Sequence, residues 1–146
     1  MEIRTYQKTD QAALIELMQA HVPTYFAASE VNDYLDYLDE LREDYFVIEL
    51  DQKVVAGGGI NYFPEQRTAR ISWDVVSHQH TGQGLGKRLV AHRIAHIRSQ
   101  DLADKVVVRT SQFAYDFYAK QGFTLLTTTP DFWAPGYDLY EMEMKM

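Results

Sequence analysis

The sequence predicts an α/β or α+β fold, a sheet with helices on both faces. Three observations lead there. Apolar residues recur at helical spacing in some stretches and alternate or run unbroken in others, giving the element order βααβββαβαββ. The chain has 146 residues, 46% apolar and 24% charged, which suits one domain over 1–146 with enough core to fold without disulfides. No linker, low-complexity tract or repeat interrupts it.

Ile3-Arg4-Thr5-Tyr6 reads as a short first strand. Thr9 is placed to cap a helix whose Leu14, Leu17, Met18 and His21 share one face. Pro23 and the pair Tyr25-Phe26 mark a loop. A second helix follows Ser29, with Val31, Tyr34, Leu35, Leu38, Leu41 and Tyr45 at helical spacing. Phe46 to Leu50, the turn Asp51-Gln52 and Val54-Val55-Ala56 form a hairpin. Gly57-Gly58-Gly59 in its returning strand indicates a bulge or a close backbone approach. Pro64 to Arg67 turns into a strand over Ala69 to Val76, and a long helix runs from about Gly84 to Arg98. Arg93 falls near the apolar face of that helix, an odd place for a charge. Val106-Val107-Val108 is apolar enough for a sheet centre, and a shorter helix from Gln112 to Lys120 stops at Gly122. Phe123 to Thr128 and Tyr137 to Lys145 are the last strands, the second with a period-2 pattern. Between them Phe132, Trp133 and Tyr137 lie in a loop that is either an interface or cleft rim, or folded over the core.

Composition excludes several functions. The absence of cysteine removes thiol nucleophiles, thiolate metal sites and an acyl-thioester enzyme intermediate. The N-terminus has no apolar signal core and no stretch approaches a membrane span, so the expected location is cytoplasmic with no membrane partner. A net charge of −7 argues against a nucleic-acid partner. His92 and His96 have a metal-compatible spacing, but no Glu follows His92 and no metal is expected. The charge is also uneven. Val75 to Gln100 contains no acid and carries Lys87, Arg88, Arg93 and Arg98 with four of the five histidines. Such an island in an acidic chain is either a local anion site or one solvated helix face.

Inside that island, Thr81-Gly82-Gln83-Gly84-Leu85-Gly86-Lys87-Arg88-Leu89 joins a strand to a helix. Alternating glycines let a phosphate approach the backbone amides, and the helix start adds free N–H donors. The spacing is neither that of a P-loop nor that of a dinucleotide fingerprint, which disfavours a plain nucleotide-binding module. The loop, its strand Ile71 to Val76 and the following helix resemble the acyl-CoA-binding motif of the GNAT superfamily of N-acyltransferases. The block Ser111 to Phe123, with Ala114, Phe117, Tyr118, Gly122 and Phe123 in register, resembles the next motif of that superfamily. Thr81 stands where the family has Arg or Gln, and Ser111 where it has Asn.

The resemblance implies a mostly antiparallel mixed sheet of about seven strands and acetyl-CoA as cosubstrate. Two strands would splay around the pantetheine arm, with Asp74, Val75 and Val76 presenting backbone groups to it. Thr81, Gly82, Gln83, Gly84, Leu85, Gly86 and Lys87 would hold the pyrophosphate, and Ser111 would add a contact. A primary amine of a small metabolite would attack the thioester directly in a ternary complex, with Tyr118 protonating the departing thiolate. Candidates for the base are Asp74, Glu65 and a water chain; Asp74 otherwise faces solvent or pairs with Arg70. The alternative function is a non-catalytic acyl-CoA-binding or regulatory domain on the same fold. Tyr25 and Phe26, in the loop that lines the acceptor cleft in this superfamily, are candidate substrate contacts. Nine acids between Glu30 and Asp51 form either an acidic wall that attracts a cationic amine or a solvated face. Superfamily members are often dimers, so a homodimer contact through the aromatic loop is a further expectation.

Overall fold

A computed structural model describes residues 1–146. Seven strands form one sheet: β1 (Glu2–Thr5), β2 (Asp44–Leu50), β3 (Lys53–Phe63), β4 (Thr68–Val76), β5 (Lys105–Thr110), β6 (Thr124–Ala134) and β7 (Tyr137–Lys145). Their spatial order is β1-β2-β3-β4-β5-β7-β6. Every neighbouring pair is antiparallel except β4 and β5. Four α-helices, α1 (Gln11–Gln19), α2 (Glu30–Asp36), α3 (Leu85–Gln100) and α4 (Tyr115–Lys120), complete the predicted order. No helix is long and apolar enough to cross a membrane.

Strand alternation sorts the side chains into two cores. Phe46 and Ile48 of β2, Ala69 and Ile71 of β4, and Val106 and Val108 of β5 pack under Leu89, Ile94 and Ile97 of α3. The odd-numbered partners Tyr45 and Val47 face the other way, against Leu14 and Met18 of α1 and Tyr34 of α2.

Four local expectations are corrected. Tyr45, expected on the second helix, lies in β2, because α2 ends at Asp36 and the chain is strand from Asp44. Thr9 does not cap α1; Asp10 accepts the Gln7 N–H at 2.8 Å, and Arg4 grips its carboxylate at 2.8 and 2.9 Å. Thr9 lies inside a 3-10 turn, Lys8–Asp10, that runs straight into α1, whose start no side chain caps. The helix expected from Gln112 begins at Tyr115, because Ser111 to Ala114 form a turn closed by Ala114 N–H to Ser111 C=O at 3.2 Å. Pro130 to Ala134 is strand rather than loop, since β6 runs to Ala134 and turns at Pro135-Gly136. The sheet edge tolerates Pro130, whose missing N–H has no ladder to break there.

Two irregularities open the site. Gly57 faces Val75 and Gly59 faces Ser72, so β4 holds one residue more than β3 across the glycines. The predicted bulge therefore has its extra residue on β4, where Trp73 adopts φ +57°. Ala69 and Ile71 face α3, and after the bulge it is Asp74 that faces α3 while Trp73 turns back to stack on Tyr34 at 5.1 Å. Tyr45 pins this kink by donating to the Trp73 carbonyl at 2.8 Å. Beyond it, the β4–β5 ladder stops at Ile71↔Val108 although both strands continue to Val76 and Thr110. The two strands part there.

Candidate active site

A cleft of about 920 Å³ occupies that parting. At its upper end, Gly82 and Gly84 take φ +82° and +78°, and neither would bring a Cβ within 4 Å of another atom. Gly84 is the residue from which α3 starts. The amides of Leu85, Gly86 and Lys87 lie in its first turn, where no intrahelical acceptor exists. His80, which also lines the cleft, has its Nδ1 buried without a hydrogen-bond partner. Free amides, open space over the glycines and an unpartnered ring nitrogen fit the phosphates of coenzyme A.

Most of the residues singled out above meet at this cleft. Val75, Val76, Thr81, Gly82, Gly84, Leu85, Gly86, Lys87 and Ser111 line it, while Gln83 is exposed and outside it. Two of them are partly engaged already. The Val76 carbonyl accepts from His21 Nε2 at 2.6 Å, which fixes the proton on that nitrogen, and Ser111 Oγ accepts the Phe113 N–H at 3.3 Å.

At the lower end Tyr118, Asp74 and Arg93 form one network. The Tyr118 hydroxyl donates to Asp74 Oδ2 at 2.6 Å. Arg93 forks onto the same carboxylate, Nη1 to Oδ1 at 2.6 Å and Nη2 to Oδ2 at 2.8 Å. Its other donors reach the Leu89 and Gly59 carbonyls at 3.1 and 3.0 Å. Asp74 thus pairs with Arg93, not with Arg70, and both its oxygens are engaged. Arg93 is 0% exposed and Asp74 14%, so the charges stabilise each other in a dry setting. Burial drives the Tyr118 phenol well above the ordinary tyrosine range, Asp74 adds to this, and the Arg93 charge opposes it. The Arg93 guanidinium stays protonated, its burial more than offset by Asp74. Gly58 makes the room: a Cβ there would lie 2.8 Å from Arg93 Cζ and from Asp74 Oδ1.

The opposite wall is aromatic. Tyr25 and Phe26 line it, and Tyr25 meets Phe113 edge-on at 6.3 Å. Tyr137 donates its hydroxyl to the Pro23 carbonyl, tying the β6–β7 hairpin to that loop. Of the nine acids between Glu30 and Asp51 only Glu30 reaches the cleft, so the wall is not acidic. Asp39, for example, pairs with Lys8 and Glu49 with Arg4, away from it. Burial pushes the Glu30 carboxyl up, against the Ala27 N–H that it accepts.

Trp133, expected at an interface or cleft rim, lines the cleft; so do Arg70, expected only as a partner for Asp74, and Arg109, which sequence reasoning passed over. Period-2 alternation carries the signal for both arginines. Each is flanked on its strand by core-facing residues, Ala69 and Ile71 for Arg70, Val108 for Arg109, and so points to the other face.

The acetyltransferase (GNAT) family profile matches residues 14–123. The chain belongs to this family. Solved structures agree on the fold. Ard1 from Thermoplasma volcanium is 20% identical, with a TM-score of 0.83 over 99% of this chain and 97% of its own. Ribosomal-protein-alanine N-acetyltransferase from Brucella melitensis is 18% identical, with a TM-score of 0.77 over 100% of both chains. An aminoglycoside 6′-N-acetyltransferase complexed with coenzyme A is 14% identical, with a TM-score of 0.79 over 99% of this GNAT chain and 97% of the other. A search of curated protein sequences gives no match.

Proposed function

We propose that this GNAT protein transfers an acetyl group from acetyl-CoA to a primary amine of a small molecule by direct attack in a ternary complex. The observation that carries this reading is the Tyr118–Asp74–Arg93 network at the same cleft as the glycine loop. The similar structure bound to coenzyme A supports the cosubstrate. Acetyl-CoA supplies an activated acyl group whose leaving atom is sulfur. The chain's own work is to hold it, align the amine and manage two protons: the amine loses its own to a water chain in the cleft, and Tyr118 lends one to the sulfur and regains one from the same water.

Gly82, Gly84 and the first amides of α3 hold the diphosphate, with Lys87 adding charge. Tyr118 faces the departing sulfur. A phenol held this high releases its proton with difficulty, so its main contribution is a hydrogen bond to charge developing on sulfur, with the proton following. Rotation about the Cζ–Oη bond turns that proton from Asp74 into the cleft. Arg93 keeps Asp74 Oδ2 satisfied meanwhile and stabilises the phenol oxygen as the proton leaves. Asp74, its oxygens shared among three donors, serves as a positioning residue and not as a free base.

Thiol release from acetyl-CoA, measured across a panel of amines, tests this reading. Turnover with at least one amine is expected. Tight acetyl-CoA binding with no turnover on any amine would instead establish the non-catalytic binding domain.

A further inference from the structure

The lower cleft holds two arginines whose N–H donors are unpaired within the protein. Arg70 on β4 and Arg109 on β5 both line it, and neither makes an ion pair or a side-chain hydrogen bond. Each is held only by its flat face, Arg70 at 4.9 Å over the Phe63 ring and Arg109 at 5.0 Å over Phe132 and 5.7 Å over Trp133. The register places Arg70 opposite Val107, two residues before Arg109, so both project from the same face of adjacent strands. Burial lowers the Arg70 guanidinium, the Arg109 charge adds to this, and Glu141 partly opposes it. Glu141 lies across from Arg109 on β7 but forms no ion pair with it. Stacking of this kind orients a guanidinium while leaving its edge free to fork onto an anion.

The diphosphate of coenzyme A is not that anion. Along β4, Arg70 and Val76 are about 20 Å apart at the usual rise, and the glycine loop lies beyond Val76 on the side from which α3 starts. An acceptor entering between the aromatic wall and the parted strands does meet both arginines.

We infer that Arg70 and Arg109 form a carboxylate-binding subsite, and that the acceptor is an amino acid carrying its carboxylate as well as the amine that is acetylated. This rests on the acetyltransferase reading for the chemistry, but the subsite itself requires only binding. The aromatic wall, to which Glu30 contributes a single acid, and the lack of an acidic cluster at the cleft fit a zwitterionic acceptor better than a polyamine.

The test uses the protein loaded with coenzyme A. Calorimetry is run with L-α-amino acids and with ω-amino acids from β-alanine to 6-aminohexanoate, each against its own carboxamide. At least one acid is expected to bind tenfold or more tighter than its amide. Arg70→Gln and Arg109→Gln should each erase most of that preference, and the lysine variants should retain part of it. Coenzyme A affinity and melting temperature, measured on each variant, separate this loss from misfolding. Acid and amide binding within twofold, no binding by any member, or a preference that survives the double Gln variant overturns the subsite. Thiol release on the same series distinguishes the two claims: selective binding without acetylation keeps the subsite and removes the acetyltransferase reading.

Discussion

Arg93 carries a full charge into an apolar core, and only Asp74 stands ready to balance it. Removing one partner of such a pair costs far more than the pair contributes as a whole. Asp74→Asn should therefore lower unfolding free energy by about 3–5 kcal/mol, read by denaturant titration. It should also lower turnover, because the Tyr118 hydroxyl loses the acceptor that orients it. The sequence showed Arg93 as a charge at a buried helical phase without saying why. The answer needed Asp74, nineteen positions earlier in sequence, to be turned inward by a backbone kink that no periodicity reports.

That kink belongs to the scale of elements. The glycine run announced a bulge, but the extra residue is on the neighbouring strand, and only strand pairing reveals this. Gly58 is needed because the ion pair occupies the place of its Cβ. Gly58→Ala should cost about 1–3 kcal/mol, as overpacked sites do, and should depress turnover with it. Gly84 is needed for another reason, its φ of +78° at the start of α3. Gly84→Val should raise the KM for acetyl-CoA about tenfold or more, while strain of about 1–2 kcal/mol lowers stability modestly. Helix and strand order was legible because spacing along the chain encodes which face is apolar. The Pro130 to Ala134 strand was not, because proline and aromatic residues read as loop until the neighbouring β7 is known to pair beside them.

Across the whole molecule, buried tyrosines set a common alkaline limit. Burial raises Tyr34, Tyr45 and Tyr118 above their ordinary range and pushes Tyr37 up to about 12. The folded state thus keeps protons that the unfolded chain loses near pH 10, so stability is intact below about pH 10 and falls as pH rises beyond it. Melting temperature should decline steadily between about pH 10 and 12, without a matching acid-side effect from these groups. The family was legible from two short blocks, since the glycine loop and the tyrosine helix are local patterns. The acceptor wall was not, because it assembles from the loop between α1 and α2, the start of α2, β5 and the last hairpin, and most of the acids expected to form it lie elsewhere. Tyr118 is the residue on which the proposed mechanism depends most directly. With acetyl-CoA and amine saturating, Tyr118→Phe should cut kcat by about 100-fold, within the range for a positioned proton donor, while the Kd for acetyl-CoA changes less than threefold. An unchanged kcat, or a loss confined to acetyl-CoA binding, would contradict it.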